Sequence, residues 1–197
     1  MRPDRVVDRL ITEAKQIGVE VYEAKDPQHL RHSLVDFLTK RYATHNSVCI
    51  PLEGFPLADE IIPELKTKGW DVLQADNSIK FEEFLERLKH IQVGISPIDL
   101  SIAETSTLVI RNNRPFLREI SLLPPVHIAI VGKDQIVLDM STASELIDGW
   151  LTESLGVTFI TGPSKTADIE LNLVKGVHGP KELIIFILSQ CQSLLPS

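Results

Sequence analysis

"PPVHIAIVG", Pro124–Gly132, is the stretch on which the fold turns. After two prolines it is apolar to its end except for one histidine. A strand with polar residues on alternate positions keeps one face in water. A continuous apolar run has both faces covered, as in the centre of a parallel sheet. Shorter runs of similar character lie on either side: "SVCIPL" (47–52), "WDVLQA" (70–75), "QVGIS" (92–96), "VTFITG" (157–162) and "ELIIFIL" (182–188). "GVEVYEA" (18–24) reads as a strand or an extended link. All are far too short to span a bilayer.

Helical patterns separate these runs. Val6, Val7, Leu10, Ile11, Ala14 and Ile17 make one apolar stripe. Asp26 before Pro27 reads as an N-cap with proline at the first helical position, ahead of Leu30, Leu34, Phe37 and Leu38. Residues 57–68 read as helix, with Pro63 expected to kink or split it. Phe81, Phe84, Leu85 and Leu88 mark another helix. Thr142 and Glu145 match a capping box ahead of Leu146, Ile147, Trp150 and Leu151, and Gly156 ends that helix. Helices alternating with buried strands predict an α/β fold, a three-layer α/β/α sandwich with a mainly parallel sheet. "DLSIAETSTLVIR" (99–111) breaks the scheme. Its two β-prone arms flank Glu104-Thr105-Ser106, which predicts an inserted β-hairpin. The helical portion 1–46 is expected to pack on the same domain as the core at 47–190.

The chain has 197 residues and a net charge of -7. Such an acidic surface disfavours nucleic acid as a main partner and docking on anionic membrane. The charged, amphipathic start lacks the apolar centre of a signal peptide. With only Cys49 and Cys191, far apart in the chain, the composition fits a reduced, cytoplasmic protein. No Cys-ligated iron–sulfur cluster fits within one chain, and no metal site is predicted.

"TGPSKTADIE" (161–170) is the richest polar connection. It is similar to a phosphate-binding loop only superficially, because Ser164 and Phe159 stand where that loop needs glycines. A helix opening near Ser164 to Thr166 would present free N–H groups to an anion, with Lys165 adding charge. Thr161, Gly162, Ser164, Lys165 and Thr166 are therefore candidate ligand contacts, against ordinary helix capping. Asp168 and Glu170 would face the crevice at the carboxyl ends of the strands or serve the helix dipole. Glu104, at the hairpin tip, is either a nucleophile or base held over a sheet edge, or a solvated turn acid. His127 and His178 are candidate imidazoles or structural residues, and His29 and His32 share a helix face with no further metal ligand in view.

"SIAETSTLVI", "SLLPPVHIAIVG" and "ITGPSKTADIELNLVKGVHGPKELIIFIL" together resemble the lactate utilization protein C family of LUD-domain proteins. The likeness runs from about Ser47 to Leu188. It implies a fold similar to the NagB/RpiA/CoA-transferase group. It also implies a role in oxidising L-lactate to pyruvate, beside partner proteins that carry the iron–sulfur clusters, with no cofactor in this chain. The resemblance adds weight to Glu104 as catalytic residue and to Lys165 and Asp168 as ligand contacts; His178 is a further candidate ligand contact. Two departures matter. Ser106 stands where the family tip has glycine, and Lys165 where it has arginine, which loses the bidentate fork. Other readings stay open: a stand-alone enzyme for acyl, CoA or sugar-phosphate chemistry using Glu104, or a ligand sensor without catalysis.

Overall fold

The computed structural model describes residues 3–152, 156–167, 173–175 and 179–190. Six strands form the main sheet: β1 (Glu20–Ala24), β2 (Ser47–Pro51), β3 (Asp71–Ala75), β4 (Val93–Pro97), β7 (Val126–Gly132) and β12 (Glu182–Leu188). Their spatial order is β1-β12-β7-β4-β2-β3. Every pairing is parallel. All seven residues of β7 are buried, as its unbroken apolar run requires. Residues 1–46 supply more than helices, since β1 closes one edge of this sheet against β12.

Helices cover both faces. On one, Leu30, Leu34 and Leu38 of α2 (Pro27–Arg41) and Ile61 and Leu65 of α3 (Ala58–Thr67) pack on Val48, Ile50, Ile128 and Ile130. On the other, α1 (Pro3–Gln16), α4 (Phe81–Leu88) and α5 (Leu117–Leu122) bring Leu10, Phe84 and Ile120 against Leu73, Ala129 and Ile185. Asp26 caps α2 by accepting from the His29 N–H at 2.8 Å, with Pro27 at the first position as the sequence predicts.

A second, four-stranded sheet lies beside α1. It contains β5 (Leu100–Ile102), β6 (Thr107–Arg111), β8 (Ile136–Val137) and β9 (Val157–Thr161), in the order β8-β5-β6-β9. β5 and β6 are the antiparallel arms of the predicted hairpin. Leu108 and Ile110 join the core under α1 and α4. Leu100, Ile102 and Val109 meet Ala143 and Ile147 of α6 (Met140–Leu151) on the opposite face.

Four local expectations change. "VTFITG" is not a buried strand of the main sheet. It forms β9 at the edge of the small sheet, where Phe159 is 46% exposed. No helix opens at Ser164–Thr166. Lys165–Ala167 is strand β10, antiparallel to β11 (Leu173–Lys175), a pairing across six to ten positions that capping signals do not reveal. Helix α6 starts three residues before the expected box, because Asp139 accepts from both the N–H and the hydroxyl of Thr142 at 2.8 Å. Pro63 does not split α3. It removes one internal hydrogen bond, while burial of Ile61, Ile62 and Leu65 holds the helix.

Candidate functional site

A cleft of about 640 Å³ opens along β9 and the turn after it. Thr158 to Ser164 form one wall without interruption. Ser121, Leu122 and Arg118 of α5 form another, and Gly179 and Pro180 close the entry to β12. The cleft thus lies at the carboxyl end of β9 but on the amino-terminal side of β7 and β12. This differs from the crevice at the carboxyl ends of the main-sheet strands that an open α/β fold predicts.

Its shape follows from two glycines. Gly162 turns the chain after β9 with φ 74, a left-handed conformation costly for other residues. Gly94 on β4 lets α5 approach the sheet, since a Cβ there would collide with the Ile120 carbonyl. That approach sets the height of Arg118 and Ser121 in the wall.

Of the predicted ligand contacts, Thr161, Gly162 and Ser164 line the cleft. The Ser164 N–H is not free as expected, because it donates to the Pro180 carbonyl at 2.9 Å. Lys165 and Thr166 are placed on β10, directly after the wall, rather than in a helical turn. Asp168, Glu170 and His178 lie outside the described residues. Arg118 is the one charged residue among the described lining, and sequence reasoning passed over it. "FLREISLL" (116–123) gives no signal that its arginine faces a cleft built largely from residues 40 positions later.

The hairpin and the cleft are joined by hydroxyls. Thr105 Oγ1, Thr107 Oγ1 and Thr161 Oγ1 form a chain with two links of 2.7 Å each. Thr107 and Thr161 sit opposite each other across β6 and β9, which makes the contact a cross-strand threonine pair. Such a chain fixes the hydroxyl orientation at the cleft wall. Glu104 itself turns away. Its Oε1 accepts from the Met140 N–H at 2.9 Å, at the start of α6, while its own N–H donates to the Leu138 carbonyl at 3.0 Å. Beside it, Ser106 adopts φ 49 and ψ 42, so the left-handed tip persists without glycine.

His127 is fully buried, with Nε2 2.7 Å from Ser96 Oγ and no partner for Nδ1 among the described residues. Burial pushes its pKa down to about 3, so the ring is neutral at physiological pH and shut off from solvent. His29 Nδ1 accepts from the Lys25 N–H, and His32 Nε2 lies 3.0 Å from Arg31 Nη2. Among the described residues no group of three His, Cys, Asp or Glu side chains is placed to hold a metal ion. Cys49 is buried, and burial raises its thiol pKa, which makes it a poor nucleophile. No helix among the described residues is long and apolar enough to cross a membrane.

The LUD domain profile matches residues 7–188. A lactate utilization protein C from Bacillus subtilis (strain 168) is 35% identical over 176 residues, covering 87% of this chain and 63% of that protein. One from Oceanobacillus iheyensis is 42% identical over 136 residues, covering 66% of this chain and 55% of that protein. The chain therefore spans between half and two thirds of the length of these relatives. A crystal structure of a DUF162 family protein from Deinococcus radiodurans superposes with a TM-score of 0.71. It covers 95% of this chain and 99% of that one at 22% identity, a likeness of fold.

Proposed function

The chain belongs to the LUD domain family, and on that premise we propose that it serves L-lactate utilization as a ligand-binding component. The ligand is a small carboxylate or phosphate held in the β9 cleft. The redox chemistry belongs to iron–sulfur partner proteins, and this chain supplies binding and orientation.

The observation that carries this reading is the lining of the cleft. One cation with no ion-pair partner among the described residues, Arg118, lines the cleft with Ser121, Thr158, Thr161 and Ser164. On a protein of net charge -7 this is a local positive spot. A guanidinium recognises carboxylate or phosphate by paired, charge-assisted hydrogen bonds, and the hydroxyls of Thr161 and Ser164 add neutral groups, whereas those of Ser121 and Thr158 already donate to the Arg118 carbonyl and to Asn112 Oδ1. The chain Thr105–Thr107–Thr161 holds one of those hydroxyls in place.

Calorimetric titration with L-lactate, pyruvate, inorganic phosphate and a CoA ester tests the binding. Thr161→Val and Ser164→Ala remove cleft hydroxyls and leave Arg118 untouched. Each is expected to weaken the bound ligand about fivefold to tenfold, as the loss of about 1 kcal/mol of hydrogen bonding implies. Affinity unchanged in both variants would remove the β9 cleft as the site. Affinity purification from native cells grown on lactate tests the partnership, and absence of iron–sulfur proteins from the eluate would count against it.

A further inference from the structure

β3 is the last strand of the main sheet, and among the described residues it pairs with β2 alone. Its Asp71 N–H donates to the Asn46 carbonyl at 2.8 Å, and its Ala75 carbonyl accepts from the Leu52 N–H at 3.0 Å. Asp71, Leu73 and Ala75 therefore turn their backbone groups toward β2. Neighbouring residues of a strand alternate, so the N–H and C=O groups of Val72 and Gln74 point out of the sheet. They have no partner among the described residues. An open row of backbone donors and acceptors is a template for another strand.

A groove of about 410 Å³ runs along this edge, lined by Val72 and Gln74 and by the charged Lys66, Asp76, Glu83 and Arg87. The Val72 side chain is buried in the core beneath α3, so that residue offers its backbone, while Gln74 is partly exposed. The charges are ordered along the groove. Lys66 stands in the last turn of α3, just ahead of β3, and Asp76 directly follows β3. α4 then runs back beside the strand toward the start of β4. Glu83 in its first turn thus lies near the carboxyl end of β3, and Arg87 in its last turn lies about 6 Å nearer the amino end. One end of the groove is basic and the other acidic. None of these four residues has an ion-pair partner among the described residues. Outside the groove, Asp71 is exposed at the basic end and reduces its surplus without reversing it.

We propose that the β3 edge is the interface for a second copy of this chain, whose own β3 pairs antiparallel across a two-fold axis at Leu73. In that register Val72 of each copy faces the partner's Gln74, and both such pairs exchange N–H···O bonds in each direction. Rotation about the axis also turns the basic end of one groove onto the acidic end of the other. Lys66 meets the partner's Asp76 on the α3 side, and Arg87 meets the partner's Glu83 on the α4 side. Each contact is made twice, as a closed two-fold interface requires. Charges beside a free edge commonly keep strands apart, which works when like meets like. Here a parallel approach sets like charges together and the two-fold approach sets opposite charges together. The same four residues therefore reject one pairing and favour the other. The main sheet becomes continuous through both copies, and neither β9 nor α5 takes part.

Sedimentation equilibrium on the whole chain over a dilution series tests this. Reversible association to a species of twice the chain mass is expected, weaker at high salt because exposed ionic contacts are screened. Arg87→Glu and Glu83→Arg each set like charges across the axis, and each is expected to weaken association about tenfold. The double variant carrying both changes restores opposite charges and is expected to associate nearly as the parent does. Gln74→Pro removes an outward N–H, a change that an edge strand tolerates, and is expected to weaken association too. A chain that stays monomeric throughout overturns the proposal and leaves the edge to a strand of a different protein. A dimer indifferent to all three single variants rejects it as well, by placing the contact on another surface. A double variant no stronger than the single ones rules out the two-fold order of the charges. If Gln74→Pro does not fold, the charge exchange at Glu83 and Arg87, both exposed, decides the matter.

Discussion

Glu104 Oε1 accepts a hydrogen bond from the Met140 N–H at 2.9 Å, which ties the tip of the β5–β6 hairpin to the first turn of α6. The carboxylate thereby satisfies one of the donors that a helix start leaves unpaired, and it lies at the positive end of the helix dipole. Asp139 satisfies another. Glu104 therefore has a definite structural task, whatever else it does.

That task separates two substitutions. Glu104→Ala removes the acceptor and is expected to cost about 1 kcal/mol, as other N-terminal cap deletions do. Glu104→Gln keeps an acceptor oxygen and loses only the charge, which is expected to cost about half as much. Urea denaturation with an unchanged slope checks both. Equal stability of Glu104→Ala and the parent would show that the contact contributes nothing.

Ser106 carries two burdens. It holds a left-handed conformation that disfavours a residue with a Cβ, and its buried Oγ has no partner among the described residues. Ser106→Gly relieves both, at the expense of a more flexible unfolded chain. The balance is expected to be a gain of about 1 kcal/mol, roughly 2–4 °C in Tm for a chain of this size. Ser106→Ala removes the hydroxyl but not the strain, and should fall between the two. A Ser106→Gly protein that melts below the parent would mean that the tip is not strained.

His127 makes stability depend on pH. Its pKa is pushed down to about 3 by burial, from an ordinary value near 6.5. The unfolded chain therefore takes up this proton between about pH 6.5 and 3 while the folded protein does not. Stability is full above pH 6.5 and falls as the medium is acidified through that window. Between pH 7 and pH 5 the residue alone is expected to cost about 2 kcal/mol. His127→Gln should show a loss smaller by about that amount over the same interval, read from urea midpoints at the two pH values. Parallel pH profiles would mean that the ring is protonated, or hydrated, in the folded state.

The sequence carries the main sheet because its strands are apolar on both faces and its helices keep regular stripes. Pro124–Gly132 and Glu182–Leu188 are buried almost throughout, as their composition demands. The small sheet is less legible. β8 has two residues, and β9 alternates partly exposed threonines and a phenylalanine, so neither shows a strong period. Gly162-Pro163-Ser164 resembles a helix entry locally, yet pairing with Leu173–Lys175 makes the following residues a strand. Thr161 and Ser164 are visible as candidates because polar residues cluster there. Arg118 is not, because its place in the cleft wall comes from the packing of a short helix. A charged residue in a connection has no sequence mark that distinguishes a cleft wall from a solvated surface.

Gly94 links the core to the β9 cleft. It lies on β4, where an added Cβ would meet the backbone oxygen of Ile120 and also press on Pro124 Cγ at 3.0 Å. Neither neighbour yields easily. The Ile120 carbonyl belongs to α5, and Pro124 leads directly into β7, so relief requires α5 to move off the sheet. Gly94→Ala is therefore expected to destabilise the protein by about 2–3 kcal/mol, as overpacking of a tight interior does. The displacement would also carry Arg118 and Ser121 outward, because both belong to α5. Anion affinity should then fall at temperatures where the variant remains folded, although Gly94 touches no ligand. Ile120→Val shortens a side chain on the same helix without forcing it off the sheet, and should lose stability with little change in affinity. If both variants lose stability equally and neither changes binding, the height of α5 above β4 is not what places Arg118.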